Sequence, residues 1–119
     1  MAKKDGVGRH GERVAVRHVE ARGWTVLERN WRGTDGELDI VAVDGDVLVV
    51  VEVKTRSGLG FGHPAEAVTP RKLARLKRLT GQWLTEFRGA RFGAVRIDVV
   101  AVTLQRAGRA VVEHIEAVA

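Results

Sequence analysis

The chain has 119 residues, 45% apolar and 29% charged, with a formal charge of +5, which is the balance of one globular domain rather than a disordered or membrane protein. It has no cysteine, so disulfide scaffolds, thiolate zinc sites and cysteine nucleophiles are excluded, and any metal must sit on oxygen or imidazole. No run approaches the roughly 20 apolar residues that span a bilayer, and Met1–Asp5 leads into polar residues; the expectation is a cytoplasmic chain with no membrane partner, its positive charge favouring a polyanion such as nucleic acid.

The spacing of Glu12, Ala15, Val16 and Val19 predicts a first helix over residues 8 to 22, ended by Gly23, with the Glu12 carboxylate on the core-facing stripe. Trp24–Leu27 reads as a short strand, followed by a polar turn through Arg32–Gly36. Residues 37 to 43 and 47 to 56 form two β-rich runs joined at Asp44-Gly45-Asp46, a hairpin signal because glycine beside aspartate supplies the positive φ of a tight turn. Ser57–Gly62 is glycine-rich and is expected as a substrate-side loop; it lacks the Lys-Ser/Thr of a phosphate-cradling P-loop.

Thr69-Pro70 starts a second helix, Thr69 as N-cap and Pro70 at the first helical position. Leu73, Leu76, Thr80, Trp83 and Phe87 mark its buried stripe, Arg71, Arg75, Lys77 and Arg78 make the remainder basic, and Gly89 is expected to close it. Val95–Val102 has the few polar interruptions of a strand covered on both faces, and Ala110–Val118 is expected as an edge strand. The order helix, three strands, helix, one or two strands predicts an α/β sandwich around a mixed sheet, with 95–102 parallel to the third strand.

The chemistry concentrates on the hairpin. Glu52 and Lys54 are two apart on a strand, so they share a face about 7 Å apart. The turn sets where Asp39 lies. A Gly45-Asp46 turn puts Asp39 opposite Glu52; an Asp44-Gly45 turn puts Glu37 there, with Asp39 diagonal; a three-residue loop sends Asp39 to the other face and dismantles the site. Two facing carboxylates repel, and a cation is the natural compensation. Mg²⁺, with Mn²⁺ as a substitute, prefers oxygen ligands and is commonly held by one or two carboxylates together with phosphate. Asp39 and Glu52 are the expected metal ligands, Glu12 an outer or second-metal ligand, and Lys54 the group that orients the nucleophile or balances developing charge.

Gly36-Glu37-Leu38-Asp39-Ile40-Val41 followed by Val51-Glu52-Val53-Lys54-Thr55-Arg56 resembles the PD-(D/E)XK nuclease pattern. Together with Gly11-Glu12, Asn30, Phe61-Gly62, Lys72 and Arg96–Val100, it resembles the YraN-like family of predicted endonucleases over nearly the whole chain. The resemblance implies a restriction-endonuclease-like three-layer α/β/α core, like that of archaeal Holliday-junction resolvases. It places Glu12, Asp39, Glu52 and Lys54 at the catalytic positions and Lys72 at a phosphate-side position on the second helix. It further implies a Mg²⁺-dependent endonuclease acting on DNA, by analogy branched or structured DNA, in repair or recombination. The sequence departs from the pattern at Gly36-Glu37, where the literal Pro-Asp is missing and Asp39 takes the metal-binding role.

Arg56, Arg71 and Arg75 join Lys72 as expected nucleic-acid contacts. The alternative is a non-catalytic nucleic-acid-binding module of the same fold. Paired nicks would need two copies of a single-site domain, so a homodimer is a further expectation. His10, His18, His63 and His114 show no zinc-like spacing and carry no assigned chemistry. Trp24 and Trp83 read as core, Trp31 as a candidate for base stacking, and Asp98 as a structural hydrogen-bond acceptor.

Overall fold

The computed structural model describes residues 6–57, 68–87, 89, 91–105 and 108–119. Within these, α1 (Gly6–Ala21) leads into β1 (Thr25–Arg32), β2 (Glu37–Asp44) and β3 (Val47–Ser57), then α2 (Pro70–Glu86), β4 (Ala94–Leu104) and β5 (Val111–Ile115). The five strands form one sheet in the order β1-β2-β3-β4-β5. Only the β3–β4 pair is parallel, as a crossover through α2 requires. The glycine-rich run lies, apart from Ser57, outside the described residues.

The sheet is buried on both faces, and alternation assigns the residues. Ile40, Ala42, Val49, Val51, Val100 and Val102 pack with Ala15 and Val19 of α1. Val41, Leu48, Val50 and Ile97 pack with Leu76, Leu79 and Trp83 of α2. This is an α/β/α layering compatible with a restriction-endonuclease-like core. Each fully buried Val or Leu contributes about 1.5–3 kcal/mol, so the paired clusters supply most of the drive to close both layers.

The α2 start is as the sequence predicts: Thr69 Oγ1 accepts from the Lys72 N–H at 3.1 Å and Pro70 follows the cap. The helix ends earlier than expected, with Phe87 as C-cap rather than Gly89. β1 is twice the expected strand, running on through Arg32 with a bulge between Val26 and Glu28. Trp31 packs against the α2-side cluster, which makes it a core-edge residue. β5 stops at Ile115, and the chain then turns at Ala117 (φ 55°) before Val118 and Ala119 pair with the Ile97 backbone.

Candidate metal and phosphate site

The site begins with the hairpin turn. Gly45 has φ 63° and Asp46 is not in the positive-φ region, the pattern of a type II′ turn with glycine at its first position. The turn is therefore Gly45-Asp46, and the ladder runs from Asp44↔Val47 to Ile40↔Val51. One further step in this register puts Asp39 opposite Glu52, the first of the arrangements open to the sequence.

The ladder changes character at that step. Leu38 lies in the α2-side cluster and Ile40 in the α1-side cluster, so strict alternation is interrupted around Asp39. The Asp39 side chain takes over the pairing: its Oδ2 accepts the Val53 N–H at 2.9 Å. The carboxylate is thereby fixed by β3 itself, next to Glu52. Both are buried, at 7% and 8% exposure.

Glu12 reaches the same end of the sheet because α1 lies very close to β3. A Cβ at Gly11 would come within 2.8 Å of Thr55 Cβ and closer still to that residue's other side-chain atoms, so only glycine permits this approach. Glu12, 2% exposed, follows directly. A cleft of about 230 Å³ is lined by Gly8, Glu12, Val53, Lys54, Thr55 and Lys72. Lys72 bridges the cleft to the acidic pair, its Nζ 2.6 Å from Glu52 Oε2.

The electrostatics of this pair are incompletely balanced. Burial, and then the neighbouring Asp39 carboxylate, push Glu52 up to about 7, although Lys72 acts in the opposite direction. A buried carboxylate that stays uncomfortable beside an ammonium suits a further hard cation.

Of the expected nucleic-acid contacts, Arg71 and Arg75 are exposed on α2 and Lys72 lines the cleft. Arg56 is instead only 9% exposed. Pairing with β4 is not the cause, since Lys54 and Ser57 are exposed in the same ladder; the burial comes from what packs over the Arg56 side chain. Polar contacts hold α2 in place over β1 and β2: Gln82 with Thr34 (2.7 Å) and Arg78 with Asp35 (2.8 Å).

A second cluster of ionisable groups escaped the sequence reading. Asp98 on β4, fully buried, accepts from both sides of the Arg96 guanidinium (2.8 and 3.0 Å), from the Ala117 N–H (2.9 Å) and from His114 Nε2 (2.7 Å). His114 Nδ1 lies 2.9 Å from both His18 Nε2 and Arg22 Nη1, and Arg22 pairs with Glu116 at 2.8 Å. The donor atoms of Asp98, His114 and Glu116 fall within 4.8 Å of one another, but two arginines already serve those carboxylates. Burial pushes Asp98 up, yet hydrogen bonds from His114, Arg96 and Ala117 outweigh it and hold the group below the usual carboxylate range. Nothing in the spacing of residues 18, 96, 98 and 114 announces this network; the expected structural hydrogen bond at Asp98 was its only sequence-level trace.

A mixed α/β domain with a buried carboxylate pair beside a lysine-lined cleft is the class of protein that fold and site define. Residues 11–102 match the uncharacterised protein family UPF0102, and the chain belongs to that family, the YraN-like family. It is 62% identical to a UPF0102 protein of Beutenbergia cavernae over 99% of both chains. It is 57% identical to one of Kineococcus radiotolerans, covering 97% of this chain and 94% of that one. A Streptomyces coelicolor relative is 55% identical over 100% of this chain and 92% of its own.

Proposed function

We propose that this protein is a Mg²⁺-dependent endonuclease that hydrolyses phosphodiester bonds in DNA, with branched or structured DNA as its preferred substrate. The observation that carries the reading is the Asp39–Glu52 pair, held side by side in the interior and under-neutralised by Lys72. Asp39 and Glu52 are the residues that would hold the cation, with Glu12 on the wall of the adjoining cleft as an outer ligand. Their all-oxygen donor set fits Mg²⁺ or Mn²⁺, and the absence of cysteine rules out a thiolate centre. Bound there, the ion would supply Lewis-acid neutralisation of phosphate charge and a more acidic water.

The chain's own residues do the rest. Val53 N–H fixes the Asp39 carboxylate, so that it does not have to be ordered when substrate arrives. Lys54, lining the cleft one residue further along β3, balances the charge that develops on the phosphate. Arg71 and Arg75 on the exposed face of α2 provide sequence-independent phosphate affinity. Labelled single-stranded, duplex, flapped and four-way-junction DNAs incubated with Mg²⁺ or Mn²⁺ test the reading. Cleavage should fall by at least about 100-fold in Asp39→Asn, since even groups that only support a metal ligand are worth 10–100-fold, and it should be lost in Lys54→Ala. Failure of all substrates, with salt-sensitive binding intact, would replace the enzyme by a binding module.

A further inference from the structure

We propose that the Lys72 ammonium is a built-in counterion of the Asp39–Glu52 pair that exchanges with the divalent cation, so that filling the site frees Lys72 for the substrate phosphate. This rests on the metal-site reading above and adds a coupling between cation binding and nucleic-acid binding.

Lys72 sits where a helix disfavours it. With Thr69 as N-cap it occupies the third helical position, where the capping box places Glu or Gln and where the macrodipole repels a cation. No acidic residue stands in the first turn of α2 to offset it. A residue that breaks the local rule answers to a tertiary partner, and that partner is Glu52. The Lys72 side chain is 28% exposed and that of Glu52 11%, so the ion pair is partly withdrawn from water.

An ammonium and a divalent ion at one carboxylate compete for its charge. A divalent ion held by Asp39 and Glu52 would meet the Lys72 ammonium, whose Nζ already lies 2.6 Å from Glu52 Oε2, and the two positive charges would repel in a partly buried site. The flexible stem of lysine offers the way out. Lys72 already lines the cleft that holds Lys54 and Glu12, so a rotamer change carries its charge from Glu52 into the space beside Lys54. The positive charge of that cleft then rises when the cation arrives, which favours phosphate.

The test is a calorimetric titration with Ca²⁺, which has the same oxygen preference and needs no turnover, on wild type, Lys72→Ala and Lys72→Met. Exchange predicts about tenfold tighter Ca²⁺ binding by both variants. It also predicts that Ca²⁺ raises the affinity of wild type for a short DNA duplex more than that of Lys72→Met. Ca²⁺ affinity equal to or below wild type in both variants overturns the exchange while leaving the metal site standing, and an equal gain in duplex affinity overturns the release of Lys72 toward phosphate. Absence of Ca²⁺ binding in all three proteins, or binding that persists in Asp39→Asn, overturns the metal-site reading and the exchange with it.

Discussion

Glu52 and Asp98 are both buried carboxylates on central strands, yet their surroundings treat charge in opposite ways. Asp98 is enclosed by a bidentate arginine, an imidazole and a backbone N–H, and its carboxyl is held below the usual range. Glu52 has one ammonium against burial and a second carboxylate, and is pushed up to about 7. The first closes its electrostatics within the protein and locks β4 to β5 and the final turn. The second is incompletely compensated within the protein, and on the function proposed above a bound cation makes up the difference. Burial of a carboxylate alone therefore does not mark a functional site; the shortfall in its compensation does.

The comparison breaks most readily at Asp98. Asp98→Ala leaves the Arg96 guanidinium without its bidentate partner and is expected to cost about 3 kcal/mol of stability, measurable as a shift in the urea midpoint. A change of under about 1 kcal/mol would mean that the network is not the structural anchor described.

Glu52→Gln should act with the opposite sign. A carboxyl raised from 4.5 to about 7 on folding binds more protons in the native state, so its ionisation lowers stability as pH rises from about 4.5 to about 7. Removing the charge should therefore stabilise the metal-free protein by about 2 kcal/mol at mildly alkaline pH and by little in acid. His18, whose pKa is lowered by burial and by His114 and Arg22, works the other way below 6.5. The difference between wild-type and Glu52→Gln profiles isolates the Glu52 contribution, and a flat difference would remove the asymmetry between the two carboxylates.

The smallest effect belongs to the rim of the Asp98 network. Arg22 and Glu116 meet with side chains 39% and 43% exposed, where solvent screens the pair. Arg22→Ala should leave thermal unfolding essentially where it was. A large drop would show that the network draws its strength from the surface rather than from Asp98.

Much of the fold was legible because its signals are local. The α1 stripe, the Thr69-Pro70 cap, and the alternation of the hairpin are read within a few residues, and the observed elements differ from the expected ones mainly at their ends. β1 was shortened because Glu28, Arg29 and Asn30 interrupt its apolar pattern; a bulge and the positive φ of Asn30 (52°) accommodate them in the strand. The acidic pair was legible only as one outcome of the turn: the sequence left three loops open, and the positive φ of Gly45 with the Asp44↔Val47 pairing selects among them. Arg56 reads from sequence as a nucleic-acid contact yet is only 9% exposed, because what packs over a strand residue is not encoded in the strand itself.

By itself, then, the sequence determined the helices and the hairpin and narrowed its register to a few choices, because propensity, periodicity and turn chemistry act over short stretches of chain; the structure chose the register that sets the two carboxylates side by side. Only the tertiary structure decided that Lys72 would neutralise Glu52, that Asp39 would bond to Val53 where the ladder opens, and that His18 would meet His114, 96 residues away. Those contacts depend on how closely α1 and α2 dock on the two faces of the sheet. Docking distance is set by packed volumes such as the missing side chain at Gly11, which no local pattern encodes.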